Sequence, residues 1–224
     1  MLPVLSKVGP IFEYVRDEVG RPTGTRDQLT INPTDYTVTA KMDGTCCYVK
    51  DGKIFARQDV KILANAPPEW FPTAGTEPDK NGHIIGFRPL DRKRGDKWHL
   101  AALDQSDSSK AQFLEYDKES KTFYYATRDI AGFNGKTCEL VGPSVNGNKH
   151  KLDRQAYIIH GSVEVAAPWR SHSELKAWLD GEEGILYEGI VIHNLGNGTV
   201  HKCHREHLGG SHVWAGHPLP MRDV

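Results

Sequence analysis

The sequence predicts an α+β domain that consists mostly of antiparallel β-sheet and has few helices. Three observations lead to this prediction. Asp51-Gly52 separates two β-prone runs, a second pair of such runs lies within residues 111–126, and only the segment that starts at Ser171 has the apolar spacing of a helix. Many short strands combined with few helices are typical of α+β domains with largely antiparallel sheets.

The first hairpin is expected at residues 46–57. Asp-Gly between two β-prone runs is a strong signal for a two-residue hairpin turn. Such a turn pairs Lys50 with Lys53, Tyr48 with Phe55, and Cys46 with Arg57. Another β-prone run, 37–40, ends immediately before Lys41, which lies a few residues before Cys46. Because Cys46 pairs with Arg57 in this register, Arg57 is expected within a few residues of Lys41.

The next segment, residues 61–97, has a different character. It is rich in proline, glycine and charged residues and has no clear periodicity, which indicates an ordered insertion with long loops. After it, a second hairpin is expected from the runs 111–116 and 122–126, followed by a short strand at 137–141.

The helix is expected to begin at Ser171. Ser171 and Glu174 form a capping box. Leu175, Trp178 and Leu179 then have the i, i+3, i+4 spacing of an amphipathic helix, which Asp180-Gly181 ends. The remaining chain predicts a buried strand at 185–192, a turn at 196–198 and a returning strand at 199–205.

The composition excludes several classes of protein. The chain has 224 residues, enough for one domain, and a net charge of -1, so a nucleic acid would have to contact a local basic patch such as Arg92-Lys93-Arg94. Four cysteines without a C-x-x-C pair predict neither a disulfide framework nor a zinc ribbon and indicate a reducing compartment. Because an apolar run of about 18 residues and a signal-peptide core are lacking, we expect no membrane span and a cytoplasmic location. A single domain of this kind can work as a monomer and nothing in the sequence argues for an interface, so a monomer is expected.

Several polar residues occupy positions that suggest chemistry. Lys41 ends a β-prone run before Asp43-Gly44. A lysine nucleophile has a free pKa of about 10.4 and needs a neighbouring cation, burial or a metal to become active. Glu139 and Glu188 lie within short apolar runs, where a carboxylate must be paired or face a site. Singly, each residue is also typical of a solvated strand, and their order along the chain is the stronger signal.

This order of residues resembles the motifs of the covalent nucleotidyltransferases, which include ATP-dependent DNA and RNA ligases and mRNA capping enzymes. Lys41-Met42-Asp43-Gly44 is similar to motif I, Glu139 to the glutamate of motif III, Glu188-Gly189-Ile190-Val191 to motif IV, and Lys202 to the first lysine of motif V. Within this superfamily the chain most resembles the small cellular ATP-dependent 5′-to-3′ RNA ligase family. The closer similarity extends from about residue 30 onward and is carried by the stretches 41–49, 139–148, 188–193 and 202–209.

The resemblance implies an ATP-grasp-like nucleotidyltransferase (adenylation) domain that spans residues 1–224, with the loop-rich insertion at 61–97 and without an OB domain. It also implies ATP as a substrate, Mg²⁺ or Mn²⁺ as the cofactor, and RNA with 5′-phosphate and 3′-hydroxyl ends as the partner. Lys41 would form lysyl-AMP, the AMP would pass to the RNA 5′-phosphate, and the RNA 3′-hydroxyl would displace AMP and seal the strand.

The same resemblance implies roles for individual residues. Lys41 is expected to be the nucleophile, and Lys202 is expected to neutralise charge near the α-phosphate. Glu188 and Asp43 are expected to hold the metal ion. The nucleotide site as a whole would comprise Lys41, Asp43, Arg57, Glu139, Glu188, Lys202 and His204. In it, Glu139 would bind the ribose, and Arg57 would contact a phosphate or a ribose hydroxyl.

Motif V departs from the family pattern. Relatives usually carry a second lysine two positions after the first, where this chain has His204. The missing charge is expected from Arg205 or from protonated His204.

The turn before motif V permits a structural test, because Lys202 and Glu188 must face the same site. A three-residue turn at 196–198, with Gly198 in the left-handed region, pairs Lys202 with Ile192 and places it on the face of Glu188. We expect this turn. A two-residue turn would instead pair Lys202 with His193, on the opposite face.

Three other interpretations are open to the sequence. A capping-type enzyme would transfer GMP from GTP, and a catalytically degenerate relative would bind nucleotide or RNA without reacting. A zinc site is the third, with candidate ligands Cys138, His201, Cys203, His204 and His207. Their spacing lacks the pairs typical of structural zinc sites, and strand alternation would send His204 away from His201 and Cys203.

Overall fold

The computed structural model of the protein describes residues 9–10, 14–16, 18, 22–25, 33–73, 77–79, 81–166, 169, 171–196, 198–208 and 214–223. The strands in these residues are β1 (Gly9–Pro10), β2 (Tyr14–Arg16), β3 (Pro22–Thr25), β4 (Tyr36–Lys41), β5 (Thr45–Lys50), β6 (Lys53–Arg57), β7 (Phe71–Pro72), β8 (Gly86–Pro89), β9 (Lys110–Asp117), β10 (Thr122–Asp129), β11 (Thr137–Val141), β12 (Ala156–Ile159), β13 (Gly189–Asn194) and β14 (Val200–His204). The α-helices there are α1 (Lys97–Ala101) and α2 (His172–Asp180). Neither helix is both long enough and apolar enough to cross a membrane.

The strands form one large sheet, one small sheet and a two-stranded ribbon. The large sheet has eight strands in the order β10-β9-β12-β11-β5-β6-β8-β7, and the small sheet has four in the order β1-β14-β13-β4. Strands β2 and β3 form the ribbon. All neighbouring strands are antiparallel except the pairs β1–β14 and β12–β9. The expected α+β class with mostly antiparallel sheets is therefore confirmed.

Both hairpins lie where the sequence predicts them. Strands β5 and β6 pair Lys50 with Lys53 and Tyr48 with Phe55, which is the register of the two-residue Asp51-Gly52 turn. Strands β9 and β10 form the second hairpin; β9 extends beyond its predicted run at both ends, and β10 extends beyond its run at the C-terminal end. The strand at 137–141 is also confirmed, as β11.

The segment 61–97 contributes to the large sheet, which the sequence did not predict. Strand β8 pairs with the edge of β6, and β7 pairs with β8. Phe87 of β8 is fully buried, and its ring lies 5.5 Å from that of Tyr48 and 6.1 Å from that of Phe71, measured between centroids. Aromatic contacts therefore attach part of this loop-rich segment to the first hairpin.

Helix α2 begins as predicted, because the Ser171 hydroxyl accepts a hydrogen bond from the backbone N–H of Glu174 at 3.3 Å. Leu175 and Leu179 are buried. The strand predicted at 185–192 is wrong in its first half. Gly184–Leu186 is a 3₁₀ turn, because the Tyr187 N–H donates to the Gly184 carbonyl oxygen at 3.1 Å, and β13 begins only at Gly189.

The core consists of two apolar clusters on the two faces of the large sheet. One cluster lies between the large sheet, the small sheet and α2, and the other covers the opposite face of the large sheet. In β11, Val141 belongs to the first cluster and Leu140 to the second. Because side chains alternate along a strand, Glu139 points to the same side of the sheet as Val141.

The chain crosses from the small sheet to the large sheet at residues 41–44. Lys41 is the last residue of β4 in the small sheet, and Thr45 is the first residue of β5 in the large sheet. The crossing is tight, since a Cβ on Gly44 would lie 2.4 Å from the Leu140 carbonyl oxygen and 3.0 Å from Glu139 Cβ. Only glycine allows the turn to approach β11 this closely.

Candidate active site

Lys41 lies beside the start of β13, where it pairs with Gly189. Its Nζ donates to Glu188 Oε2 at 2.5 Å, and the two side chains are 23% and 22% exposed. The Glu188 backbone N–H also donates to the Lys41 carbonyl oxygen at 3.1 Å. The register of two strands thus holds together two residues that are 147 positions apart in the sequence.

Glu188 has a second basic partner in His204, which pairs with Gly189 from the other side. His204 Nδ1 lies 3.0 Å from Glu188 Oε1. Burial raises the pKa of Glu188, but the hydrogen bond with His204 and the charge of Lys41 outweigh it and bring the pKa to about 2. Glu188 is therefore a carboxylate at neutral pH, and each of its oxygens contacts a nitrogen of a basic side chain.

The turn Asp43-Gly44 is held by a loop that follows β11. Asn146 Nδ2 donates to Asp43 Oδ1 at 2.8 Å and to the Gly44 carbonyl oxygen at 2.9 Å. Lys149 Nζ lies 3.3 Å from Asp43 Oδ2. The Asp43 side chain therefore has a fixed direction, with one oxygen on an amide and the other on an ammonium group.

His150 also contacts this turn. The Asp43 backbone N–H donates to His150 Nε2 at 3.0 Å. Burial lowers the pKa of His150 to about 4, against the opposing charges of Asp43 and Glu188. The imidazole is therefore neutral near pH 7, which leaves Nε2 free of a proton and able to accept this hydrogen bond.

The predicted register of Lys202 is wrong. Lys202 pairs with Val191, and Ile192 pairs with His201, so β13 and β14 are joined by four residues, 195–198, instead of three. Gly198 is left-handed as expected, with φ +70, and its N–H donates to the Asn194 carbonyl oxygen at 3.0 Å. The longer loop closes through the Asn194 side chain, whose Oδ1 accepts from the Gly196 N–H at 2.8 Å.

Lys202 nevertheless shares a face with His204, because the two residues are two apart on β14. Cys203, between them, points into the core. The alternation of side chains along β13 does not give the direction of the Glu188 side chain, because Glu188 precedes β13 and its side chain turns towards His204. Lys202 thus lies on the face of the small sheet that also carries Lys41, which pairs with Gly189 opposite His204.

Arg205 does not supply the second motif V charge at this cluster. Its Nε donates to the Tyr187 carbonyl oxygen at 2.9 Å, and its Nη2 donates to the Leu179 carbonyl oxygen. Nη1 lies 3.2 Å from Asp180 Oδ1. The guanidinium therefore binds the C-terminal end of α2, where a cation is favoured, and His204 is the basic residue that contacts Glu188.

Glu139 belongs to a second group of polar residues, on the large sheet. It pairs with Cys46 across β5 and β11, and its Oε1 lies 3.2 Å from His160 Nε2. Arg57 is close enough for its charge to act on Cys46 and Glu139, but its guanidinium binds Asp59, with Nε–Oδ1 and Nη2–Oδ2 distances of 2.9 and 2.8 Å. The hydrogen bonds with Asp59 raise the pKa of Arg57.

The seven predicted site residues therefore fall into two groups that meet at the Asp43-Gly44 turn. Lys41, Lys202 and His204 lie on the small sheet, with Glu188 immediately before its strand β13, and Glu139 and Arg57 lie on the large sheet. Asp43 stands between them in the crossing segment. A site at this crossing has the Lys41 side chain on one side and the Glu139 carboxylate on the other.

Comparison with known proteins identifies the family. The model of the RNA ligase 1 family matches residues 66–222, more than two thirds of the chain. The chain belongs to the RNA ligase 1 family. RNA ligase 1 of Rattus norvegicus is 27% identical, that of Mus musculus 29% and that of Danio rerio 24%. Each of these alignments covers 76% of this chain and 66% of the relative, so the chain spans slightly less than two thirds of their length.

The RNA ligase 1 match includes Glu139, Glu188 and Lys202, the residues that resemble motifs III, IV and V. The match begins after Lys41, Asp43 and Arg57, so the first part of the site rests on the geometry described above.

The residues that hold the Asp43 turn were not predicted from the sequence. Asn146, Lys149 and His150 contact Asp43 from more than one hundred positions away, and only the similarity at 139–148 pointed to this loop. His160 was not predicted either, because its contact with Glu139 depends on the pairing of β11 with β12.

Gly44→Ala is expected to lower the free energy of unfolding by about 1–3 kcal/mol, since the added Cβ would overlap the Leu140 carbonyl oxygen. The measurement is urea unfolding followed by tryptophan fluorescence. Gly132→Ala is the matched control: no atom lies within 4 Å of a Cβ at Gly132, and a change below about 0.5 kcal/mol is expected. Equal stabilities of the two variants would contradict the close approach of the turn to β11.

Proposed function

We propose that this chain is an ATP-dependent RNA ligase that forms lysyl-AMP on Lys41, transfers the AMP to an RNA 5′-phosphate and joins that end to an RNA 3′-hydroxyl. The observation that carries the proposal is the cluster of Lys41, Glu188 and His204 at the crossing between the two sheets. Membership of the RNA ligase 1 family supports it. We further propose that the two sheets form an ATP-grasp-like adenylation domain.

The first step requires the Lys41 amine to leave its ion pair. Nζ then forms a bond to the α-phosphorus of ATP, the bond from that phosphorus to the pyrophosphate oxygen breaks, and pyrophosphate departs. In the ion pair Nζ is an ammonium group, so it loses one proton before it attacks and a second as the phosphoramidate forms, and both protons pass to solvent. Glu188 Oε2, which lies 2.5 Å from Nζ in the ion pair, can relay the first of them. Phosphoryl transfer of this kind depends mainly on positioning and on neutralisation of charge.

Carboxylate oxygens of Glu188 and Asp43 are suitable ligands for Mg²⁺ or Mn²⁺, which prefer oxygen donors. The low pKa of Glu188 fits this role, since a metal ligand must be ionised. Asp43 is bound by Lys149 and Asn146, so a metal at Asp43 would have to take the place of the Lys149 ammonium. When bound, the ion supplies positive charge that offsets the negative charge of the phosphates.

The remaining residues are proposed to bind the nucleotide. Lys202 and His204 share one face of β14 and would stabilise negative charge at the α-phosphate. Glu139 would bind the ribose, because its buried Oε2 has no hydrogen-bond partner among the described residues and can accept from a hydroxyl. Arg57 would exchange Asp59 for a phosphate or a ribose hydroxyl.

The 3₁₀ turn Arg92–Arg94 is the proposed contact for the RNA backbone. All three of its residues are basic and exposed, and its N-cap Asp91 accepts from the Lys93 N–H at 2.9 Å, which holds the turn in place. Such a patch binds phosphates without regard to sequence.

The test is covalent labelling of the purified protein with α-labelled ATP or GTP in the presence of Mg²⁺. We expect an acid-labile label from ATP that is released as AMP-capped RNA when 5′-phosphorylated RNA is added, and sealing when a 3′-hydroxyl end is present. Label from GTP alone would make the chain a capping-type enzyme. No label from either nucleotide, with RNA still bound, would make it a binding protein and overturn the ligase.

A further inference from the structure

Three side chains with metal-binding atoms converge on one face of the large sheet. Cys46 on β5 lies directly opposite Glu139 on β11. The His160 N–H donates to the Thr137 carbonyl oxygen at 3.0 Å, so His160 follows β12 alongside β11, diagonal to Glu139. Because all three residues belong to paired strands or their immediate continuation, their arrangement is set by the sheet.

The distances fit a transition-metal site. Cys46 Sγ, a Glu139 carboxylate oxygen and a ring nitrogen of His160 all lie within 4.8 Å of one another. In a tetrahedral zinc site, with bonds of ~2.0–2.3 Å, the ligand atoms are ~3.3–3.8 Å apart. His160 Nε2 and Glu139 Oε1 are 3.2 Å apart, and a movement of about 1 Å by the thiol would complete the set.

The surroundings of the three ligands also suit an ion. Thr137 Oγ1 lies 2.7 Å from His160 Nδ1, a second contact that orients the ring so that Nε2 faces Glu139. Glu139 Oε2 is buried without a hydrogen-bond partner among the described residues. The His160 side chain is 39% exposed, which leaves a path by which a cation can reach the carboxylate.

The local charge favours a cation as well. Burial, followed by the negative charge of Glu139, raises the pKa of the Cys46 thiol well above its ordinary value. The negative charge of Glu139 disfavours the Cys46 thiolate but attracts a divalent ion, and the bound ion would in turn stabilise that thiolate. The charge of nearby Arg57 opposes this effect, but its guanidinium is bound by Asp59.

We propose that Cys46, Glu139 and His160 form a binding site for a thiophilic divalent cation of the zinc class, with the fourth coordination position open. This site is separate from the carboxylates proposed for Mg²⁺ and from the cysteines and histidines of β14. A consequence rests on the proposed function: an ion held by Glu139 excludes the ribose from that carboxylate, so Zn²⁺ inhibits lysyl-AMP formation in competition with ATP.

The direct test is titration of the reduced protein with Co²⁺, whose thiolate charge-transfer and tetrahedral absorption bands report the ligands. We expect one equivalent to bind with both bands and Zn²⁺ to displace it. Cys46→Ser should abolish the charge-transfer band, and His160→Gln should weaken binding at least about tenfold. Thr137→Val, which removes only the contact to His160 Nδ1, should weaken it by about tenfold.

Cys203→Ala is the control for thiols, because Cys203 is buried on the small sheet and its replacement should leave the bands unchanged. Thermal melts of each variant show whether it is folded. Absence of the charge-transfer band in the wild type, or its persistence in folded Cys46→Ser, would overturn the site. Either result would mean that the Glu139–His160 contact is an ordinary hydrogen bond supported by Thr137.

Inhibition by Zn²⁺ is measured separately. For each protein, the amount of covalent label formed with Zn²⁺ is divided by the amount formed without it, at a low and at a high concentration of ATP. We expect ATP to relieve inhibition in the wild type and Cys46→Ser to be less sensitive to Zn²⁺. If Co²⁺ binds as expected but Zn²⁺ does not affect labelling, the proposed competition between Zn²⁺ and ATP is wrong, while the proposed metal site stands. If the protein is never labelled, the proposed function fails, while the Co²⁺ spectra still decide the site.

Discussion

Lys41→Arg is expected to reduce covalent labelling by ATP at least about 10³-fold, since a nucleophile cannot be replaced by a group that stays protonated. Arginine keeps the positive charge and can still bind Glu188, so the ion pair at the crossing is preserved. The variant thus separates the proposed nucleophilic role of Lys41 from its structural role. Lys41→Ala would remove both and leave the Glu188 carboxylate in contact with His204.

The measurement is transfer of α-labelled AMP to the protein, with the modified peptide located by mass spectrometry. Lys50→Arg is the matched control, because Lys50 lies on neighbouring β5 with its Nζ 4.7 Å from the centroid of the Phe71 ring, a contact that arginine can also make. Its labelling should equal that of the wild type. A labelled Lys41→Arg protein, or a label mapped to another lysine, would exclude Lys41 as the nucleophile.

Asp96→Asn is expected to lower the free energy of unfolding by about 3–5 kcal/mol, because it leaves the buried guanidinium of Arg88 without its counter-charge. Arg88 and Asp96 are 8% and 5% exposed and form two hydrogen bonds, of 2.5 and 2.9 Å. Arg88 Nε also donates to Gln58 Oε1 at 2.6 Å, and Asp96 accepts from the Asp91 N–H at 2.7 Å. The pair therefore attaches the end of the 61–97 segment to the large sheet.

Urea unfolding measures this loss. Asp153→Asn provides the matched control, since the Asp153–Arg154 pair has a distance of 3.3 Å with side chains 69% and 57% exposed, and a change below about 0.5 kcal/mol is expected. Similar losses in the two variants would show that burial of the Arg88–Asp96 pair adds nothing to its strength.

The same pair predicts a dependence on pH. Burial raises the pKa of Asp96, but the hydrogen bonds from Arg88 and from the Asp91 N–H outweigh burial and place the pKa below its ordinary value. A carboxyl whose folded pKa is lowered stabilises the protein fully above its unfolded pKa of about 3.9 and loses that stability as the pH falls further. The difference in stability between wild type and Asp96→Asn should therefore shrink below about pH 4.

Local signals were sufficient for part of the fold. The Asp51-Gly52 turn, the β9–β10 hairpin and the N-cap at Ser171 each depend on a few neighbouring residues, so the sequence predicted them correctly. The Gly86–Pro89 strand was missed, because it is short, begins with glycine and ends with proline, and forms only by pairing with the edge of β6.

The candidate site was predictable in its residue types and less so in its contacts. The order of the motif residues pointed to Lys41, Glu139, Glu188 and Lys202. The contacts of Asp43 with Asn146 and His150 join segments that only the folded sheets bring together, and a propensity argument cannot reveal them. Arg205 was offered as a cation of the site, yet it binds the end of α2, since the sequence does not show which strand face a residue after β14 will occupy.

The loop between Asn194 and Thr199 has four residues, and the register that accompanies this length determines which side chains of β14 face the candidate site. Surface hairpins usually tolerate insertions and deletions. Here a shift of the pairing by one position would reverse every side chain of β14. Lys202 and His204 would enter the core and Cys203 would leave it, so a one-residue shift would have the effect of three simultaneous substitutions.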